Sequence, residues 1–324
     1  MVASDIIDVV VSEVGPRDGL QSISRIMPTE IKIRWVAALA AAGLREIEVG
    51  SFVPPKLLPQ MGDAEEVVRA AIQIPGLVVL ALAPNLKGAE RAAACGAHRI
   101  TMPVSASRAH SMANIRKTPE EAVEEVRKVR ALCDSLPADV RPVLEVGIST
   151  AFGCSLQGLV PEDWVIQLAV MTAEAGADSV GLSDSTGHGN PAQVKRLFTH
   201  LQHELGDKAG AAHFHNTRGQ GLANVVAALD VGVRTFDASQ GGIGGCPYAP
   251  GATGNIVTED LVFLLEAMGL RTGIDIERLI AARALIVEGL PGEQIYGNVP
   301  EAGLPKGFTY AAAGPAPGQL HPLG

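Results

Sequence analysis

The feature that most constrains this chain is an alternation of short runs rich in Val, Ile and Leu with longer stretches of helical periodicity, repeated about eight times. The short runs predict strands over 8–14, 46–49, 77–82, 98–103, 141–148, 179–182, 211–215 and 234–238. The intervening patterns predict helices over 29–42, 63–72, 86–95, 119–132, 161–175, 191–205, 219–231 and 255–268. Several of these close at a glycine, as at Gly43, Gly96 and Gly176, and the helix from Pro119 carries acids in its first turn, where the helix dipole favours them. Strand then helix, eight times, is the pattern of an α/β fold of the (β/α)8 barrel type. A doubly wound open sheet is the alternative, but no GxGxxG follows the first strand. The barrel is expected to occupy 1–288, with an extra helix over 274–288. Gly and Pro are frequent in the remainder, 289–324, which predicts a partly ordered tail.

Within that frame, one stretch asks for a chemical explanation. His213 and His215 stand at i and i+2 on a predicted strand, so both imidazoles point to the same side and can reach one metal ion. Downstream lies a Gly-rich segment that contains Cys246 and Asn255 and has little side-chain bulk to keep it off a ligand. Barrel chemistry is built at the C-terminal ends of the strands. There the first strand delivers Arg17 and Asp18, the second Glu48, the sixth Asp184, the seventh the two histidines, and the loop after the eighth Cys246 and Asn255.

Composition narrows the partners. With 35 acidic and 26 basic side chains the net charge is −9, which argues against a nucleic-acid or anionic-membrane surface. The four cysteines are widely spaced and form no CxxC, as expected of a reduced intracellular protein. Acids rather than basic residues stand near the N-terminus, and no apolar run reaches transmembrane length. The expected location is the cytoplasm.

Four stretches carry a family resemblance: EVGPRDGLQ at 13–21, SFVPPK at 51–56 with PQMGD at 59–63, APNLKG at 83–88, and GIGGCPYAPGATGN at 242–255. They resemble the 3-hydroxy-3-methylglutaryl-CoA lyase family, and the similarity runs from about Val11 to Gly269. The resemblance implies a metal-dependent (β/α)8 barrel that cleaves a 3-hydroxy-3-substituted glutaryl-CoA to acetyl-CoA and a 3-oxo acid. It implies Asp18, His213, His215 and Asn255 as metal ligands, and this donor set suits Mg2+ or Mn2+ better than a closed zinc site. Arg17 matches the arginine facing the thioester carbonyl, where it would stabilise an enolate oxygen. Cys246 matches the cysteine that protonates the enolate carbon or keeps water out. Glu48 and Asp184 match acids that orient Arg17 or a ligand, or relay the hydroxyl proton; the base itself stays open among Asp18, His213 and Asp184.

A CoA thioester as substrate and a homodimer or higher homo-oligomer are likewise implied, with Asn85 and Lys87 as candidate CoA contacts. The chain departs from the family pattern at 216–220, where it reads NTRGQ. Arg218, if turned inward, would hook an extra carboxylate on the substrate. Isopropylmalate-synthase-like condensing enzymes and hydroxy-oxo-acid aldolases share a metal-binding HxH and are the alternative activities. A metal- or CoA-binding protein without catalysis is the alternative class.

Overall fold

The structure, a computed structural model, describes residues 6–244 and 254–311. Eight parallel strands close into a barrel in sequence order. They are β1 (Val10–Glu13), β2 (Glu46–Ser51), β3 (Val78–Leu82), β4 (Arg99–Ser105), β5 (Val143–Ser149), β6 (Ser179–Asp184), β7 (Ala209–Phe214) and β8 (Thr235–Ala238). Closure comes from β1, which pairs with β2 on one side and with β8 on the other. The helices are α1 (Thr29–Ala41), α2 (Ala64–Ala71), α3 (Leu86–Ala94), α4 (Arg108–Ile115), α5 (Pro119–Ser135), α6 (Glu162–Glu174), α7 (Pro191–Leu205), α8 (Gly221–Asp230), α9 (Thr258–Ala267), α10 (Ile276–Gly289) and α11 (Asn298–Ala302).

The main apolar core lies between barrel and helices. Ile47, Val79, Ile100, Leu144, Leu182, Phe214 and Phe236 on the strands are buried with Trp35, Leu39, Val68, Val126, Leu168 and Leu201 on the helices. Truncating any of the large aliphatic side chains to Ala would cost about 2–5 kcal/mol. The alternate positions face the barrel axis and are polar or small: Ser12, Glu46, Arg99, Glu145, Gly147, Ser179, Gly181 and Asp237 line one cavity there. Gly181 is required by contact, since a Cβ on it would meet the Ala211 carbonyl oxygen at 2.4 Å.

One stretch differs from the sequence pattern. No helix is expected between Pro103 and Pro119, yet α4 forms there, with the Ser107 hydroxyl accepting the His110 N–H at its start. The described part of the C-terminal segment lies on the barrel. Tyr296 donates its N–H to the Gly241 carbonyl, Asn298 and Val299 donate theirs to the Asp260 carboxylate, and Ala311 donates to Glu266. Among the described residues no helix is long and apolar enough to cross a membrane.

Candidate active site

The turn after β1 is a single π-helical turn over Gly15–Gly19, in which the Val14 carbonyl accepts the N–H groups of Arg17, Asp18 and Gly19. Such wide turns recur at functional sites because they push successive side chains out of the helical register. Here they aim Arg17 and Asp18 into the cavity. Behind the turn, the buried Glu13 carboxylate accepts the N–H of Gly15 (2.8 Å), the N–H of Gln240 (2.9 Å) and the Thr258 hydroxyl (2.7 Å). It thereby ties β1, the β8 loop and the start of α9 together. Burial pushes its pKa up to about 8, against the pull of those three donors.

Both histidines at the end of β7 face the cavity. Their Nε2 atoms lie 3.1 Å apart, and the ligating atoms of Asp18, His213 and His215 all fall within 4.8 Å of one another. Asn255 reaches the same place because its segment runs antiparallel beside the end of β7: Asn216 donates its N–H to Gly254, and Ile256 donates to Phe214. The Asn255 amide donates to Asp18 Oδ2 at 2.7 Å, while its Oδ1 is buried without a partner among the described residues, as is Nδ1 of His215. Two facing imidazole nitrogens, a carboxylate and a buried, unspent amide oxygen are a donor set that a hard divalent cation satisfies.

Electrostatics hold Asp18 and His215, though not His213, in their binding forms. Burial alone would raise the pKa of Asp18, but the Arg17 guanidinium and both imidazoles outweigh it and bring it to about 2. Burial and the neighbouring His213 push His215 down to about 3, so its ring is neutral. For His213 burial is overcome by the hydrogen bond and charge of Asp237 and by Asp18, and its pKa is raised. Arg17 is clamped between Glu48 and Asp18, and Thr101 donates to the other oxygen of Glu48. Gln21 adds a 2.8 Å hydrogen bond to Asp18. Burial raises the Glu48 carboxyl although Arg17 pulls the other way.

The cavity measures about 1110 Å³ and runs from these residues to Asn85, Arg116 and Lys117 at its mouth. The structure thus brings together Arg17, Asp18, Glu48, His213, His215 and Asn255. It places Asp184, Lys87 and Arg218 outside the lining and Asn85 at the mouth. Asp184 does not line the cavity: its strand neighbours Ser183 and Ser185 do, and its carboxylate accepts the N–H groups of His188 and Gly189. Asn85 lines the mouth but spends its side-chain oxygen on the Gly88 N–H, capping α3. Lys87 is exposed on the first turn of that helix and is not part of the lining. The exposed Arg218 donates to the carbonyls of Thr186 and Gly187 and clasps the β6–α7 loop; it is not turned inward as an anion hook. Cys246 lies outside the described residues. Asp237, Gln21 and Thr101 enter the site without having been marked in the sequence.

A closed parallel barrel with two imidazoles, a carboxylate and a charge-clamped arginine at the C-terminal rim defines a barrel enzyme with a candidate metal centre. The chain belongs to the HMGL-like family, whose model matches residues 8–286. It is 40% identical over 280 residues to the hydroxymethylglutaryl-CoA lyase YngG of Bacillus subtilis, covering 86% of this chain and 92% of that protein. It is 39% identical over 282 residues to the mitochondrial hydroxymethylglutaryl-CoA lyase of Homo sapiens, covering 87% and 86%. Among solved structures it is similar to an HMG-CoA lyase from Acinetobacter baumannii in complex with coenzyme A and 3-methylmalate. The TM-score is 0.87 and the identity 37%, with 95% of this chain and 98% of that one covered.

Proposed function

We propose that this protein is a carbon–carbon lyase that cleaves 3-hydroxy-3-methylglutaryl-CoA to acetyl-CoA and acetoacetate. The observation that carries the reading is Arg17, clamped by Glu48 and Asp18 at the edge of the Asp18–His213–His215 cluster. A retro-Claisen cleavage needs two charges managed side by side: an alkoxide that collapses to a ketone and a thioester enolate that appears as the bond breaks. A Mg2+ or Mn2+ ion held by Asp18, His213, His215 and Asn255 would acidify the tertiary hydroxyl.

The residues of the chain supply the rest. Arg17 offers fixed N–H donors for the enolate oxygen, and its two carboxylate partners keep the guanidinium from swinging away. The electron pair of the broken C–C bond moves into the thioester, and the enolate carbon then takes a proton; the family resemblance assigns that delivery to Cys246. With Asp184 committed to loop amides, Asp18 and His213 are the cavity-facing acceptors for the hydroxyl proton. Asn85, Arg116 and Lys117 at the mouth suit the phosphate-bearing end of a CoA thioester.

The same reading includes cytoplasmic action as a homodimer or higher homo-oligomer, which cell fractionation and sedimentation velocity test. The decisive assay is acetyl-CoA release from 3-hydroxy-3-methylglutaryl-CoA with Mg2+ or Mn2+. Fast, metal-dependent release that is lost in Cys246→Ala and His213→Ala is the expected result. A folded, metal-binding protein that releases nothing would overturn the substrate. Binding of CoA esters without turnover under either ion would move the protein to the non-catalytic class.

A further inference from the structure

One ionisable side chain on the cavity wall has no part in the mechanism above. Asp237 is the third residue of β8, and strand register places it directly beside His213 on β7. Parallel neighbours in register present their side chains to the same face. The Asp237 carboxylate Oδ2 accordingly lies 3.1 Å from Nδ1 of His213. Below it, the other charges of the barrel axis are matched with each other: Arg99 bridges Glu46 at 2.7 Å and Glu145 at 2.8 Å. Arg99 is thus shared by those two acids and Arg17 is clamped by Glu48 and Asp18, so the group hydrogen-bonded to Asp237 is the His213 imidazole.

A neutral imidazole carries one N–H, and the hydrogen bond made by one nitrogen decides which form is present. A carboxylate only accepts, so Asp237 selects the form with the proton on Nδ1. That leaves the lone pair on Nε2, the nitrogen facing His215 and Asp18. His215 is held differently: its Nδ1 is buried and has no partner among the described residues. The two histidines of the motif are therefore not equivalent.

We infer that Asp237 is a positioning residue, which fixes His213 as the Nδ1–H tautomer and turns its Nε2 lone pair toward the divalent-cation site. This rests on the metal site proposed above. Outer carboxylates of this kind change metal affinity by about 10- to 100-fold in other proteins.

The test uses the full chain with Mn2+ as probe. Calorimetric titration of wild type, Asp237→Asn and Asp237→Ala should give Mn2+ affinity in that descending order, with Asp237→Ala weakened about 10- to 100-fold. The Asn variant keeps a neutral acceptor and so restores part of the loss, which a purely structural role would not produce. Independently, 15N NMR of the metal-free protein at alkaline pH should show the His213 proton on Nδ1 in wild type and a mixture of tautomers in Asp237→Ala. Unchanged Mn2+ affinity in Asp237→Ala, or a wild-type proton on Nε2, overturns the inference. A wild-type chain that binds no Mn2+ overturns the metal site itself, and the metal-free tautomer measurement tells the two failures apart.

Discussion

The amide of Asn255 donates a 2.7 Å hydrogen bond to the carboxylate of Asp18, joining the turn after the first strand to the segment after the last. The bond orients both side chains before any ligand arrives. It also points the amide nitrogen at the carboxylate, which sets the amide oxygen free for another partner.

Asp18 makes the metal-free fold sensitive to acid. Its folded pKa of about 2 lies below the ordinary carboxylate value of about 3.9, so its contribution to stability is present above about pH 4 and is lost as pH falls toward 2. The expected size is about 2–3 kcal/mol. Unfolding midpoints of wild type and Asp18→Asn should therefore converge as pH is lowered through that window. Parallel curves would show that the carboxylate is not held in this way.

Divalent binding should be proton-linked through His213. Its raised pKa means the free imidazole keeps its proton above the usual histidine value, and a cation must displace that proton. Affinity is expected to climb with pH up to the raised pKa and to level off above it. Calorimetry in buffers of different ionisation enthalpy measures the released proton; a pH-independent affinity with no proton release contradicts the assignment.

The clamp on Arg17 predicts that a lysine will not replace it. A single ammonium cannot satisfy Glu48 and Asp18 while presenting further donors to the enolate oxygen. Arg17→Lys should lower kcat by about a hundred- to a thousand-fold. Steady-state kinetics check this, with circular dichroism to show that the variant is folded.

Arg218 should not govern substrate choice. Its guanidinium holds the carbonyls of Thr186 and Gly187, so Arg218→Tyr is expected to loosen the β6–α7 loop and lower the unfolding midpoint. Relative kcat/KM values across several 3-hydroxyacyl-CoAs should stay level. A changed ranking would restore the inward-facing arginine.

The barrel was legible because each strand and helix carries its own periodicity within a few residues of chain. So was the pairing of His213 with His215, which follows from strand alternation alone. What could not be read locally was register between strands. No pattern within TFDA at 235–238 says which residue will stand beside His213, so Asp237 went unmarked. Asp184 shows the cost of a short strand boundary. With the strand ended at Leu182 it reads as a rim residue; with β6 continuing to Asp184, alternation turns it outward with Val180 and Leu182. The α4 helix carries no such signal, because RAHSMANI at 108–115 has no apolar stripe to announce it.

The donor cluster straddles the place where the sheet closes on itself. Asp18 follows β1, the histidines belong to β7 and its end, and Asn255 follows β8, while Glu13 fastens the two edges from behind. A cation bound there would act as a clasp across the seam of the cylinder, tightening on the ends of the chain and not on its middle. Opening the seam and losing the ion would then be one thermodynamic event. A chain ending after the sixth strand would keep Asp18 and the arginine clamp yet lack His213, His215 and Asn255, so a barrel missing its last two strands could not assemble the site.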